Sequence, residues 1–114
     1  MTSYPKSTPL RDEAYRRLVA ALPCMACGIV GYTQAAHPNT GKGLSMKADD
    51  RDCFPLCTVG GNDCHGGFDQ RAMFSKAVRR EIEPLWASHT RAKLRAMSAH
   101  DAGMRKIVEK AIGL

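Results

Sequence analysis

The chain has 114 residues, with 17 Lys or Arg against 11 Asp or Glu, a formal net charge of +6 and a pI of about 9.3. This length is typical of one domain, and a hydrophobic content of 44% argues against wholesale disorder. No apolar run approaches the roughly 20 residues of a membrane-spanning helix, and the polar residues 1–9 lack the apolar stretch of a secretory signal. We therefore expect a cytoplasmic protein whose five cysteines stay reduced and favour metal binding over disulfides.

Charge is distributed unevenly along the sequence. Residues 23–70 carry a net charge of −2, whereas residues 1–22 carry +2 and residues 71–114 carry +6. An acidic centre between basic segments suits a cation site that acts on a polyanion. For any single helix, solvation of an exposed face is the more usual explanation of its Lys and Arg residues.

The predicted elements describe a single α+β domain over residues 1–114. A first helix is predicted over residues 9–22, with Thr8 as N-cap and Pro9 at the first helical position. Its apolar side chains recur every fourth residue and predict one buried face, formed by Leu10, Ala14, Leu18 and Leu22.

Residues 24–70 are predicted to form the core that carries the chemistry. Two short strand-like runs, at residues 32–37 and at residues 53–56 leading into Cys57, are expected to pair as a hairpin around a long loop rich in Gly, Lys and Asp. A loop of that length in a small domain is usually functional or disordered. A helix is predicted to begin near Cys64.

Residues 71–114 are predicted to form a basic helical extension. Pro84 is expected to break the first of its helices, because proline has no backbone N–H and clashes with the preceding turn. Ser98 and Asp101 resemble a capping box at the start of a last helix, which would end near Gly113.

Four of the five cysteines have a spacing that predicts a structural zinc site. Cys24 and Cys27 are separated by two residues, as in many zinc knuckles, and Cys57 and Cys64 supply a second pair across a longer gap that contains two glycines. A redox role for the first pair lacks the βαβ pattern that usually surrounds such a motif. Cys53 is the cysteine left over, and we expect it to be a small buried side chain.

The histidines and aspartates suggest a second, different metal site. His65 and Asp69 are four residues apart in a predicted helix, so one imidazole and one carboxylate would share a face and could hold a divalent ion. His37 ends the first strand, and Asp50 and Asp52 precede the second. Taken singly, a histidine such as His37 is more often a polar surface residue than a catalyst, and His65 could cap a helix or replace a cysteine as a zinc ligand.

The order of these motifs resembles the HNH (ββα-metal) endonuclease family, in particular its small phage and prophage members with embedded zinc cysteines. The resemblance covers residues 24–69. It is carried by Cys24 and Cys27, by Ala36-His37-Pro38, by the loop with Gly41, Lys42, Gly43, Lys47 and Asp50, by Phe54-Pro55-Leu56-Cys57, and by Cys64-His65 with Asp69.

The resemblance implies a β-hairpin packed on a helix, with a catalytic metal between them. His37 would be the general base, and His65 and Asp69 would hold Mg²⁺ or another divalent cation. Asp50 or Asp52 would stand near the family's middle Asn, to orient His37 or contact the metal. Ala36 departs from the family, where the preceding residue is often a further ligand, and leaves open whether His37 is itself a ligand.

We therefore expect a metal-dependent endonuclease that hydrolyses DNA, with double-stranded DNA as the substrate implied by the family. Lys42, Lys47 and Arg51 are candidate phosphate contacts, and the C-terminal helices could present further cations at Arg79, Arg80, Arg91, Lys93 and Arg95. A need for a protein partner, such as a recombinase, stays open. The main alternative is a non-catalytic zinc module that binds nucleic acid or a protein, and a thiol-redox protein would explain only Cys24 and Cys27.

Overall fold

The structure is a computed structural model that describes residues 9–38, 49–69 and 74–114, and only the backbone of Asp69. The loop motifs with Lys42 and Lys47 therefore lie outside the described residues. The described elements are helix α1, strand β1, a 3₁₀ turn, strand β2 and helices α2, α3 and α4. Their bounds are Glu13–Ala20, Thr33–Ala36, Asp50–Asp52, Phe54–Cys57, Cys64–Asp69, Lys76–Ser98 and Ala102–Ile112, in that order.

The two strands form the predicted antiparallel hairpin, and the fold is α+β as expected. Thr33 pairs with Cys57 at one end of the ladder, and Ala36 pairs with Phe54 at the other. All four residues of β2 are buried. This burial explains why β2 is a short continuous apolar run and not an alternating one, because helices cover it on both faces.

One face of the hairpin carries an aromatic core. Phe54 of β2 packs edge-on against Phe68 of α2, with ring centres 5.7 Å apart. Trp86 of α3 completes the group at 5.4 Å from Phe54 and 5.6 Å from Phe68. These aromatic contacts hold α2 and α3 against the start of β2, where Phe54 pairs with Ala36 at the end of β1.

The other face of the hairpin packs against α1 and α4. Its core consists of buried side chains from these helices, from α3 and from the residue before β2, namely Tyr15, Val19, Leu22, Cys53, Leu94, Val108 and Ala111. Cys53 is fully buried in this second core, as its position in the sequence suggested.

Helix α1 is shorter than predicted. It begins at Glu13, and the carboxylate of Asp12 caps it by accepting a hydrogen bond from the Tyr15 N–H at 3.0 Å. The preceding backbone is held outside the helix, because the Leu10 carbonyl accepts the Asp50 N–H at 3.0 Å. The predicted cap, Thr8, lies outside the described residues.

Helix α3 runs without a break through Pro84, so the prediction that this proline ends a helix was wrong. A proline inside a helix costs about 3 kcal/mol, because it removes one hydrogen bond and crowds the preceding turn. The helix is retained because one of its faces is buried along its length, through Glu83, Ala87, Thr90, Leu94 and Ser98. Tertiary packing here outweighs local propensity.

The start of α4 also differs from the prediction. Ser98 is the last residue of α3, where its hydroxyl donates to the Arg95 carbonyl at 2.7 Å. Asp101 is itself the N-cap of α4 and accepts the Met104 N–H at 3.0 Å. Gly113 follows the last residue of α4 with a positive φ of 78°, as predicted for a helix stop. Among the residues that the structure describes, no helix combines the length and the apolar character that crossing a membrane requires.

Candidate functional site

The two cysteine pairs predicted from sequence come together in one cluster. The sulfur atoms of Cys24, Cys27, Cys57 and Cys64 all lie within 4.8 Å of one another, and the cysteines are free thiols. The Sγ atoms of Cys27 and Cys57 are 3.7 Å apart, far longer than the roughly 2.05 Å of a disulfide. A tetrahedron with zinc–sulfur bonds of about 2.3 Å has edges of about 3.8 Å. The donor set therefore fits a metal ion such as zinc.

The first pair sits on a tight turn that is fixed to the hairpin. The Cys24 N–H donates to the Ile29 carbonyl at 2.9 Å, and the Gly28 N–H donates back to the Cys24 carbonyl at 2.8 Å. Gly28 has a φ of 83°, a left-handed conformation that glycine adopts without steric cost. The Met25 N–H donates to the Pro55 carbonyl at 2.8 Å, so strand β2 holds this turn beside Cys57.

The unusually long gap between the second pair is closed by a compact loop. The N–H groups of Asn62 and Cys64 point at the Cys57 sulfur, at 3.3 and 3.4 Å. The loop has room only for glycine at position 60, because a Cβ on Gly60 would lie 2.7 Å from the ring of Tyr32. The six intervening residues thus fold back and aim backbone donors at the sulfur that would carry negative charge.

Asn62 contacts the cysteine cluster, although the sequence did not single it out. Its side-chain amide donates to the Cys27 sulfur at 3.2 Å, and this hydrogen bond is the main cause that lowers the pKa of Cys27 to about 6. The opposite holds for Cys64, whose pKa is raised by burial and by the neighbouring thiols. One exposed thiol is therefore prepared for deprotonation, and a bound cation would have to offset the cost at the buried one.

The second candidate site centres on a hydrogen bond between His37 and Asp50. His37 directly follows β1, and its Nε2 lies 2.8 Å from Oδ1 of Asp50. The His37 side chain is 24% exposed, whereas that of Asp50 is 1% exposed. Of the two aspartates named from the sequence, Asp50 is the one that contacts His37, whereas Asp52 contacts Arg91.

Asp50 is held in place from helix α1. Its Oδ2 accepts the Asp12 N–H at 2.6 Å and also accepts a hydrogen bond from Arg16. Burial alone would raise the pKa of Asp50, but the hydrogen bonds from Asp12, His37 and Arg16 outweigh it and lower the pKa below 3.8. Asp50 is thus a carboxylate at neutral pH, and its Oδ1 accepts a hydrogen bond from the Nε2–H group of His37.

Asp52 and Arg51 have other partners. Asp52 is about half exposed and faces Arg91, with a distance of 3.4 Å from Arg91 Nη1 to its Oδ1. Burial and the nearby Asp49 raise the pKa of Asp52. Arg51 forms a two-pronged ion pair with Asp49, at 3.0 Å from Nε and 2.7 Å from Nη2. Its charge is thus matched by an internal carboxylate, which weakens its candidacy as a phosphate contact.

Helix α2 places the backbone positions of His65 and Asp69 on one face. His65 lies partly buried in the first turn, immediately after Cys64, and Asp69 is the last residue of the helix. The side chain of Asp69 is outside the described part of the chain. Helix α2 lies against the end of the hairpin that carries His37, because Phe68 packs on Phe54 and Phe54 pairs with Ala36.

Three of the five cations expected on the C-terminal helices are engaged inside the protein. Arg91 donates to the Arg51 carbonyl at 2.7 Å, and Arg95 donates to the carbonyls of Gly113 and Ile112 at 2.9 and 2.8 Å. The guanidinium of Arg79 lies 4.5 Å from the centre of the Phe68 ring. The other two, Arg80 and Lys93, are exposed.

Arg16 and Glu83 are two further residues that the sequence analysis missed. Arg16 carries no sequence signal for its contact with Asp50, because the two are 34 positions apart. Glu83 did carry a signal, since it occupies a helical position in line with Ala87, Thr90 and Leu94, on the buried face of α3. A charged residue on such a face is unusual and warrants a specific explanation.

Comparisons with protein-family models, with curated proteins and with solved structures found no match. Any function assigned to this chain therefore depends on the geometry of its own residues.

Proposed function

We propose that this chain is a metal-dependent endonuclease of the HNH type, which hydrolyses DNA phosphodiester bonds with His37 as general base and one divalent cation. The observation that carries the proposal is the hydrogen bond from His37, at the end of a β-hairpin, to the buried carboxylate of Asp50. A histidine backed by a buried carboxylate has a fixed tautomer and ring orientation, which general-base catalysis requires.

The direction of this hydrogen bond determines which nitrogen is available. Since the Asp50 carboxylate can only accept, Nε2 of His37 donates this hydrogen bond, and in the neutral imidazole Nδ1 then keeps its lone pair. The histidine is partly exposed, so water can reach it. His37 Nδ1 is therefore proposed to take a proton from water as the water oxygen attacks phosphorus and the bond to the leaving oxygen breaks.

Helix α2 is proposed to supply the cation ligands His65 and Asp69. A divalent ion such as Mg²⁺, when bound, supplies Lewis-acid stabilisation of the charge on the phosphate oxygens. The four-cysteine cluster is proposed to hold a separate, structural zinc, because sulfur is a soft ligand and fills all four positions. A structural zinc can contribute about 10 kcal/mol or more to folding, which suits a chain of this size.

Double-stranded DNA is the proposed substrate. The net charge of +6 favours a polyanion, and exposed cations lie on α3 and α4. None of these features selects a base sequence, so cleavage is expected to show weak sequence preference.

A nicking assay on supercoiled plasmid tests the proposal. The zinc-loaded chain is incubated with Mg²⁺ or Mn²⁺, or with a chelator too weak to remove the zinc, and His37→Ala is compared with His89→Ala, an exposed histidine on α3. Loss of the base should cost about 10²–10⁴-fold in rate, whereas His89→Ala should cleave normally. Absence of any metal-dependent nicking by the folded wild-type chain would favour a non-catalytic zinc module.

The roles of the two histidines can be separated in the same assay. His37→Ala should keep the second cation and lose cleavage, whereas His65→Ala should lose both and retain zinc. If His65→Ala instead strips the zinc and unfolds the chain, His65 is a structural ligand and the nuclease proposal loses its cation site.

A further inference from the structure

Arg16 and His37 bind the two oxygens of one buried carboxylate. His37 Nε2 donates to Oδ1 of Asp50 at 2.8 Å, and Arg16 Nη1 donates to Oδ2 of the same side chain. Since the Asp50 side chain is 1% exposed and its carboxylate is planar, the guanidinium has a fixed place relative to the proposed base. Helix α1 therefore contributes a cation to the His37 site, although the sequence analysis assigned the chemistry to residues 24–70.

The Arg16 guanidinium has N–H groups left for a second anion. Its contact with Asp50 is made through Nη1, and within the described residues its Nε and Nη2 groups make no hydrogen bond. The Arg16 side chain is 32% exposed, so solvent reaches it. A guanidinium carries five N–H donors, and its planar fork matches the oxygens of a phosphate. Arg16 can therefore hold Asp50 and a phosphate at the same time.

Arg16 differs in this respect from Arg51, whose Nε and Nη2 both bind Asp49. The carboxylate that Arg16 contacts has two other donors, the Asp12 N–H at 2.6 Å and His37 Nε2. Arg16 is thus one of three groups that stabilise this buried charge. Its exposed N–H groups remain donors for a phosphate, and a charge-assisted hydrogen bond of this kind is about twice as strong as a neutral one.

The geometry of the imidazole limits which phosphate Arg16 can contact. In the proposed mechanism the attacked phosphorus lies beyond Nδ1 of His37, and the lone pair of Nδ1 points away from Nε2 across the ring. Asp50 lies on the Nε2 side, and Arg16 is bound to its other oxygen. The imidazole ring and the carboxylate therefore separate Arg16 from the scissile phosphate. A DNA strand carries a phosphate at every nucleotide, so it also has a phosphate next to the scissile one.

We infer that Arg16 binds the phosphate that flanks the scissile phosphate, so that the site selects a strand with successive phosphates over an isolated phosphodiester. The inference rests on the proposed function and names the substrate class of that site. Contact with a part of the substrate that does not react raises kcat/KM without altering the chemistry at His37. A charge-assisted hydrogen bond to this phosphate is expected to raise kcat/KM about ten- to hundredfold.

Small chromogenic substrates test this assignment. Thymidine 4-nitrophenyl phosphodiesters, joined through the 5′ or the 3′ oxygen, contain a single phosphodiester, and each can carry a further phosphate on the other sugar oxygen. The measured quantity is the flanking-phosphate ratio, which is kcat/KM with the further phosphate divided by kcat/KM without it. The zinc-loaded full chain, with Mg²⁺ or Mn²⁺, should give a ratio of about ten to a hundred in at least one pair. Arg16→Gln should bring that ratio close to one.

The ratio separates a phosphate contact from a structural role, because a change that acts through Asp50 slows both substrates of a pair alike. Arg16→Lys keeps the charge without the planar fork, so its ratio should lie between those of the wild type and Arg16→Gln. The matched control is Arg17→Gln, at the next position of α1, where the arginine is exposed and pairs with Glu13. It should keep the wild-type ratio. Zinc content and thermal unfolding verify that each variant is folded.

DNA binding without a divalent cation tests the contact independently of cleavage. Arg16→Gln should lower the slope of log affinity against log salt by up to about 0.9 on a duplex, whereas Arg17→Gln should not. A wild-type ratio in Arg16→Gln would overturn the inference and leave the nuclease standing, and so would a ratio of one in both pairs for the wild type. An Arg16-dependent salt slope without cleavage of any substrate would overturn the proposed function and retain Arg16 as a phosphate contact.

Discussion

His37 and Asp50 are joined by a hydrogen bond of 2.8 Å that links the end of strand β1 to a buried carboxylate. The same carboxylate receives an N–H and a guanidinium from the start of helix α1. One residue thus orients the proposed base and also fastens the first helix to the hairpin. Changes at Asp50 are therefore expected to affect stability and catalysis together.

Acid pH should remove the contribution of Asp50 to stability. The pKa of Asp50 is below its ordinary value of 3.8 in the folded state, so the unfolded chain binds more protons as the pH falls. The stabilisation is complete above about pH 5 and is lost as the pH falls through 4 towards the folded pKa. Asp50→Asn should cost about 1–3 kcal/mol at neutral pH, and this cost should shrink below pH 4 when urea unfolding is compared with the wild type.

Asp52 provides the control for this pH dependence, because the sign of its pKa shift is opposite. Burial and Asp49 raise the pKa of Asp52, so its charged form does not favour folding. Asp52→Asn should leave stability at neutral pH unchanged or slightly higher. A loss in Asp52→Asn equal to that in Asp50→Asn would contradict the assignment of the buried anchor to Asp50.

The cysteines should divide into four that hold a metal and one that does not. Cys24→Ser is expected to lose the metal and much of the cooperative unfolding transition, since a structural zinc contributes about 10 kcal/mol or more. Cys53→Ala should keep one metal per chain, because Cys53 lies in the second core and burial raises its pKa to about 12. Elemental analysis with thermal unfolding followed by circular dichroism measures both.

The sequence predicted the cysteine cluster and the hairpin because both depend on local spacing. Two cysteines separated by two residues can face one ion wherever they occur, and two short apolar runs around a polar loop predict a paired hairpin. The longer gap between Cys57 and Cys64 remained compatible with this cluster because the glycines in the loop allow it to fold back.

The features that the sequence did not predict depend on tertiary contacts. Pro84 continues a helix because α3 buries one face both before and after the proline, through Glu83 and Ala87, and no local rule contains that information. Asp50 and Asp52 are equivalent in sequence, and only the 3₁₀ turn decides which carboxylate faces His37. The sequence does not distinguish Arg95 from an exposed cation, because its hydrogen bond to the Gly113 carbonyl forms only when the end of α4 packs beside α3.

Tyr15 offers a test of the second core. Its side chain is fully buried, and its hydroxyl has no hydrogen-bond partner within the described residues. An unsatisfied buried hydroxyl costs about 1–3 kcal/mol, so Tyr15→Phe should leave stability unchanged or raise it by about 1 kcal/mol in urea unfolding. Tyr32→Phe, at an exposed position, is the control and should be neutral. A clear loss of stability in Tyr15→Phe would mean that the hydroxyl has a partner in the folded protein.

DNA binding should depend on the exposed cations of α3 and not on its internally bonded ones. Arg80 and Lys93 are exposed, whereas Arg91 and Arg95 donate to backbone carbonyls. Each phosphate contact releases counterions and contributes about 0.9 to the slope of log affinity against log salt. Arg80→Gln or Lys93→Gln should lower this slope by up to that amount, with no change in thermal stability, when binding is measured by fluorescence anisotropy across a salt titration.

Arg95→Gln should lower stability and leave the salt dependence of DNA binding unchanged, which is the reverse of the result expected for Arg80→Gln and Lys93→Gln. Its two hydrogen bonds satisfy carbonyls at the end of α4, so their loss is expected to cost about 1 kcal/mol or more of stability and to leave the salt slope unchanged in the folded fraction. A flat salt dependence in the wild type would argue that the basic helices face a protein partner. The opposite outcome is a salt slope that falls in Arg95→Gln but not in Lys93→Gln. It would mean that Arg95 gives up its hydrogen bonds to the end of α4 when DNA binds and contacts phosphates instead.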